Sequence, residues 1–427
     1  MCAKIRFPLF LSGALLLLSS CAGGLDYRTL NNYMVANSCT KAAEFVEGQR
    51  SSYGINGKLL YLLDSGMVNF LCGQHEKSNR FFHEAEELAE KLWTKSVSRE
   101  MASYLVNDYT RAYSGEDFEK ALINLFSALN YVMLGQTDEA LVEFRRLDAN
   151  LSMFNQKYKT KNVYKEDAFG RYLSGMVYEA AGEFDDAYID YFNSYKIYRG
   201  YSRDYGTPTP SQLSQDLVRL AVKTQREDDL PAPLKGKKRP GFSGQRKMGR
   251  IVVIHLNGKS PVKSEEKISI PSSSGPITLA FPKYEKRRPS CRKSFLSVQA
   301  SDGTRPQTKK FELGEDINEI AVKNLKDRRG RVIAKTVARA VAKQVVINSA
   351  TEDKMARVLF NIANSVIERA DTRTWRTLPG EIAVGRVFVK PGQYEVSVSA
   401  CDRPKKRLGD PEIRAGETRF FIFNTMF

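Results

Sequence analysis

The sequence predicts an α+β fold in two parts: an all-α helical repeat array, then a C-terminal α+β domain with a mainly antiparallel sheet and a long helical insertion. Three observations carry this. From about residue 26 to 226, apolar and small residues recur at spacings of three and four, and β-branched runs are scarce. The stretch 226–247 is rich in Pro, Gly and Lys and poor in apolar residues, which reads as an exposed linker. Beyond it, short β-branched runs flank a long helical pattern. Charge divides at the same place: residues 1–230 hold 26 Lys/Arg against 30 Asp/Glu, and residues 231–427 hold 40 against 19, a net of +21. At 42% hydrophobic and 27% charged, the 427-residue chain is neither a disordered polymer nor a multi-span membrane protein. The expected organisation is a signal peptide over 1–20, a repeat domain over 21–226, a basic linker over 227–249 and a basic α+β domain over 250–427.

The N-terminus has its own pattern. Lys4 and Arg6 precede an apolar run from Phe7 to Leu18, followed by Leu18-Ser19-Ser20-Cys21. A run of about 12 residues is too short to span a bilayer and reads as a secretory signal peptide. Its ending resembles the bacterial lipobox. That resemblance implies that Cys21 becomes the first mature residue and carries the acyl chains that anchor the protein. Ala22, where an aspartate would favour inner-membrane retention, directs the expectation to the outer membrane, facing the periplasm.

Within the first half lies an internal repeat. Residues 65–85 (SGMVNFLCGQHEKSNRFFHEA), 127–147 (SALNYVMLGQTDEALVEFRRL) and 174–194 (SGMVYEAAGEFDDAYIDYFNS) align on turn glycines Gly73, Gly135 and Gly182. Gly66, Ala128 and Gly175 are the small residues that let one helix approach the next. Ser78, Ala140 and Ala187 are the small residues facing them, and Phe82, Phe144 and Tyr191 plug the gaps. The pattern resembles the tetratricopeptide repeat (TPR), although the turn glycines lie 62 and 47 residues apart, so the array is irregular. Such arrays stack hairpins and bind proteins in a groove. Tyr164, Tyr172, Tyr178, Tyr188, Tyr191, Tyr195, Tyr198 and Tyr201 are candidates to line one.

In the second half, strands are expected at 251–256, 276–281, 295–300, 307–313, 381–389, 393–400 and 418–424. Helices are expected at 315–348 and 353–370, and a hairpin turn at Pro391-Gly392. Basic clusters include Lys286, Arg287 and Arg288, and Lys326, Arg328 and Arg329. These are the candidate contacts to anionic material. Cys2 leaves with the signal peptide. The remaining cysteines fall two to each half, and Cys39–Cys72 with Cys291–Cys401 is the simplest pairing in an oxidising compartment. Metal-ligand spacing, nucleophile elbows and phosphate loops are absent from the sequence, so neither a catalytic residue nor a metal or other cofactor is expected.

With both halves considered, the chain resembles a poorly characterised family of bacterial TPR-containing lipoproteins. The blocks that carry this are Tyr113-Ser114-Gly115-Glu116-Asp117-Phe118-Glu119, Ala128-Leu129-Asn130-Tyr131, Glu143-Phe144-Arg145-Arg146, residues 258–263 (GKSPVK), residues 281–284 (FPKY), and Ala370-Asp371-Thr372-Arg373-Thr374-Trp375-Arg376-Thr377-Leu378-Pro379. Glu116 is expected to cap a helix and pair with Lys120, Asp371 to cap the segment holding Trp375 or pair with Arg373 or Arg376, and Trp375 to dock onto the final sheet. The resemblance implies a cell-envelope setting near peptidoglycan synthesis. The expected function is a non-enzymatic, protein-binding scaffold. Its lipid would hold the membrane, its repeats an envelope protein, and its basic half peptidoglycan or anionic lipid. An envelope hydrolase or transferase with an unrecognised site is the alternative. Nucleic acid is disfavoured by the export signal.

Overall fold

The computed structural model describes residues 24–98, 111–157, 164–236, 248–271, 277–350 and 369–427, with a few positions between 353 and 361. The signal peptide and Cys21 lie outside the described residues, as does most of the 353–370 segment.

The first half is built of helices α1 (Tyr27–Val35), α2 (Cys39–Gly48), α3 (Lys58–Leu71), α4 (His75–Ser98), α5 (Asp117–Leu134), α6 (Thr137–Lys157), α7 (Ala168–Ala181), α8 (Phe184–Asp204) and α9 (Ser211–Lys223). The aligned glycines end α3, α5 and α7. Gly73, Gly135 and Gly182 have φ of 73°, 74° and 87°. The N–H after each glycine donates to a carbonyl five residues earlier, Gln74 to Asn69, Gln136 to Tyr131 and Glu183 to Tyr178. This is the left-handed helix ending that glycine adopts without a Cβ penalty. The close approaches fall where the repeat puts them. A Cβ on Gly66 would lie 2.4 Å from the Phe82 ring, and one on Gly175 2.5 Å from the Tyr191 ring. Ala128, Ala140 and Ala187 are fully buried. Three helical hairpins, α3–α4, α5–α6 and α7–α8, therefore stack, and the first and third share the glycine-to-ring contact.

The second half begins with β1 (Gly249–Lys259), β2 (Val262–Ile270), β3 (Ile277–Glu285), β4 (Ser294–Ala300), β5 (Gln307–Lys310) and β6 (Glu312–Asp316). Helix α10 (Ile317–Ala350) follows, then β7 (Pro379–Val389), β8 (Gly392–Ala400), β9 (Lys406–Gly409), β10 (Glu412–Ile413) and β11 (Thr418–Thr425). One sheet has the order β11-β1-β7-β6, and a second joins β10, β8, β4 and β5, with β9 also on β8. β1 and β11 are parallel, and the other pairs are antiparallel. β2 and β3 form a separate hairpin.

Strand period decides what each face meets. On β1 and β7 the odd positions Ile251, Val253, Val387 and Val389 pack against Leu296, Val396 and Val398 of the second sheet. The even positions Val252, Ile254, Leu256, Ile382 and Val384 belong to the same core as the repeat helices. The first sheet is thus sandwiched between the second sheet and the repeat array, which explains the continuous apolar run 251–254.

Several expectations change. The linker does not stay exposed at its start: it folds into short 3₁₀ turns at Glu227–Asp229 and Ala232–Leu234, and Leu230 and Leu234 enter the shared core. Pro391-Gly392 is not a hairpin turn, because β7 and β8 lie in different sheets and the dipeptide carries the chain between them. Trp375 docks into the repeat array rather than onto the final sheet, edge-on to Phe82 and Phe126 at 5.8 and 6.2 Å. Both expected disulfides, Cys39–Cys72 and Cys291–Cys401, are formed.

Candidate functional site

The repeat array opens a cleft of about 110 Å³ between α4, α5 and α6. Helical spacing places its lining: Glu86, Ala89, Glu90 and Trp93 on α4, Lys120 and Ile123 on α5, and Asn150, Met153 and Phe154 on α6. Ile123 and Phe154 are buried at the floor, and Trp93 and Met153 are partly exposed. Trp93 and Phe154 sit with ring centroids 6.0 Å apart. Lys120 Nζ lies 4.3 Å from the Phe154 ring centroid and 3.0 Å from Asp117. Lys120 therefore pairs with Asp117, not with Glu116 as the i,i+4 spacing suggests.

One wall is polar and fixed. Asn124 Nδ2 donates to Glu86 at 2.8 Å and to Glu143 at 2.9 Å, and Asn150 Nδ2 donates to Asn124 Oδ1 at 2.9 Å. Arg146 reaches both carboxylates, at 3.3 and 3.2 Å. Burial raises the Glu143 carboxyl above its ordinary range, against the Asn124 hydrogen bond. The result is a preformed concavity with an apolar floor and a carboxylate-bearing lip. That is suited to an apolar side chain next to a positive or amide group.

Of the eight tyrosines expected to line a groove, Tyr178 and Tyr195 are partly exposed and the other six are not available to one. Tyr164, Tyr172, Tyr188, Tyr191, Tyr198 and Tyr201 are buried, and most hold buried carboxyls or carbonyls. Tyr172 donates to Asp216 at 3.0 Å, Tyr191 to Glu179 at 2.9 Å and Tyr198 to the Gly314 carbonyl at 2.8 Å.

Three buried polar clusters sit between the halves. In the first, Glu179 of α7 accepts from Arg219 at 2.6 Å, Arg250 at 2.7 Å and Arg386 at 2.7 Å, and Asp216 takes Arg386 at 2.8 Å. Arg250 and Arg386 are even-numbered positions on β1 and β7, so the strand period turns both toward the helices. Burial alone would raise the Glu179 carboxyl, but Arg386, Arg219 and Arg250 outweigh it and hold the group well below the carboxylate range. In the second, Glu119 accepts from the Trp375 N–H at 2.7 Å and from Thr374 at 2.8 Å, while Asp64 accepts from Tyr27, Tyr53 and Thr377. Burial pushes Asp64 up to about 6.

In the third, Glu315 and Asp167 are both fully buried. Burial first, then the neighbouring Asp167 and Asp316, push Glu315 well above its usual range. Folding therefore takes up a proton there, and the fold loses stability as pH rises above the ordinary Glu range toward the raised value. Glu315→Gln should raise the melting temperature at pH 8, with the advantage shrinking toward pH 4. A constant difference at both pH values would contradict the protonated reading.

The candidate anionic contacts flank the root of α10 but are not equivalent. Arg328 is tied to Glu116, with Asp117 at 3.8 Å, so it is a structural ion-pair partner and not an open contact. Lys286 pairs with Glu319 at 2.5 Å. Burial, and then Arg376, lower the pKa of half-buried Arg287. Arg288, Lys326 and Arg329 are exposed. Asp371 pairs with Arg373 at 2.7 Å, as one of the two expected pairings had it. In a wider depression of about 580 Å³ between Pro411 and Arg419, Glu417 takes Arg419 at 2.6 Å and the Arg414 backbone N–H at 2.9 Å. Among the described residues, no group of three His, Cys, Asp or Glu is placed to hold a metal ion, and no helix is long and apolar enough to cross a membrane.

The cleft and the inter-half clusters were beyond sequence reasoning. Asn124 and Asn150 lie on separate helices with no shared motif, and only the hairpin stacking brings them together. No family profile matches the chain, and no curated protein matches it. Among solved structures, TPR-like repeats described as those of a kinesin light chain from Podosopora anserina align at 13% identity and a TM-score of 0.31, over 47% of this chain and 86% of that one. A likeness so loose carries no argument. The TPR-like character of the first half rests on this chain's own stacked hairpins and their glycine-capped turns.

Proposed function

We propose that the protein is a non-enzymatic, protein-binding scaffold, held by a lipid on Cys21 to the periplasmic face of a bacterial outer membrane. In this reading the α4–α6 cleft takes a segment of an envelope protein, and the basic half faces anionic envelope material, in a setting linked to peptidoglycan synthesis. The observation that supports it most is the cleft itself. It joins an apolar floor of Ile123 and Phe154 to a lip bearing Glu86 and Glu90, within an array of stacked hairpins. The preferred segment would present an apolar side chain beside a Lys or Arg. The two disulfides agree with an oxidising compartment.

The test is a photocrosslinking residue placed in living bacteria at Met153, in the cleft, and at exposed Ile189 on α8. Discrete adducts from position 153 and none from 189 are expected. Equal adducts, or none at 153, would contradict a partner in the cleft.

A further inference from the structure

Helix α10 packs through its first turns and exposes much of its outer length, where Thr336 and Ile347 are still buried. Its first turns pack against the fold: Ile317, Ile320 and Ala321 belong to the core, and Glu319 pairs with Lys286 just past the end of β3. Nine residues on, Arg328 meets Glu116, which also holds Lys263 near the start of β2. Both contacts lie at the base of the β2–β3 hairpin, since Lys263 is paired with Tyr284, two residues before Lys286. Beyond Arg328 the helix runs on to Ala350, about 33 Å at 1.5 Å per residue. This outer stretch is termed the arm.

The outer part of this arm exposes apolar side chains. Ile333, Val337, Val341 and Val345 are 38%, 41%, 58% and 62% exposed. They are four residues apart, so they share one face of the helix, and Ala334 and Ala338 are exposed with them. On the hairpin, Ile268 and Ile270 are 46% and 47% exposed. Residues 328–350 of the helix include Arg328, Arg329, Arg331, Lys335, Arg339 and Lys343, and no Asp or Glu. An apolar stripe on a stretch whose charges are all positive is complementary to an anionic lipid surface. A second copy of the same helix would bring like charges together. The first described residues leave the fold close to the arm's root. The segment 370–376 touches both: the Ala370 N–H donates to Glu265 of β2 at 2.6 Å, and Arg376 lies 4.3 Å from the Tyr27 ring centroid.

We propose that the outer half of α10 is a membrane-contact element that lies in the interfacial layer of an anionic bilayer, its Ile333–Val345 stripe among the acyl chains. This rests on the anionic-surface reading above and names the element and the lipid that realise it.

The test uses the chain from Ala22 on, which keeps every described residue, with Cys21 and its lipid removed. It is mixed with vesicles of phosphatidylcholine alone or with added phosphatidylglycerol. Binding should be at least about tenfold tighter to the anionic vesicles. It should fall about tenfold when Val337, Val341 and Val345 are all changed to Ser, with the melting temperature unchanged because these positions are exposed. An environment-sensitive dye on Val341→Cys should shift to the blue on vesicle binding. Salt-sensitive binding that ignores the triple serine variant would overturn the α10 proposal while leaving the wider charge reading intact. No preference for anionic vesicles would overturn both. A dye shift that needs only higher protein concentration would assign the stripe to a second copy instead.

Discussion

Changing Glu179 to Ala should destabilise the protein by about 3–5 kcal/mol, read as a lowered urea midpoint. Removing one partner from a buried ion cluster strands the others without water. Here the stranded groups are Arg219, Arg250 and Arg386, all within 2.7 Å of the Glu179 carboxylate. Asp216 still holds Arg386 at 2.8 Å and Arg219 at 3.1 Å, but Arg250 keeps only backbone carbonyls, those of residue 179 at 3.4 Å and of Gly416, and no carboxylate. The contrast matters more than the size. Replacing Glu179, Arg250 and Arg386 together by apolar residues of similar volume should cost much less than the single change, because the buried charges that remain, Asp216 and Arg219, are still paired at 3.1 Å. A single variant with an unchanged midpoint would mean that the cluster is open to solvent.

Loss of the Cys291–Cys401 bridge should have an effect of similar size. Its cysteines are 110 residues apart in sequence. Closing a loop of that length removes about 4–5 kcal/mol of denatured-state entropy on the chain-entropy account. Cys291 precedes β4 and Cys401 follows β8, and these strands are paired from Ser294 with Ala400 onward, so the bridge fastens one end of the second sheet. The Cys291→Ser/Cys401→Ser variant should unfold at clearly lower denaturant, and reductant should bring the unaltered chain down further, since it also opens Cys39–Cys72. If the midpoint moves in neither case, the thiols are not bridged in solution.

How much of this was readable in the sequence depends on the range of the interactions. The repeat was legible because its signals are local. A glycine that ends a helix and a small residue that admits an aromatic ring fall at fixed offsets, and Gly66, Gly73, Gly175 and Gly182 do what their spacing implies. The run 251–256 read as a strand for the same reason. What could not be read was which face met what. Trp375 lies far along the chain from Phe82 and Phe126, and no periodicity reports that a loop of the second half fills the core of the first. The Pro391-Gly392 turn misled because proline and glycine mark a change of direction without saying whether the next strand returns to the same sheet. Tyr172, Tyr191 and Tyr198 looked like a ligand surface only because their partners, Asp216, Glu179 and the Gly314 carbonyl, come from other elements. The candidate cleft was hidden in the same way, since its lining comes from three helices.

The repeat array and the basic half are one folding unit, so a partner of the kind proposed for the α4–α6 cleft would be held in a fixed orientation to the basic half. The shared core, which runs from Leu59 through Trp375 to Val384, and the Glu179 cluster both cross the division between the halves. Differential scanning calorimetry of the chain from Ala22 on tests this most directly. The account predicts one transition whose calorimetric and van't Hoff enthalpies agree, and a single shifted transition in Glu179→Ala. Two separate transitions, with only one of them moved by that substitution, would contradict it.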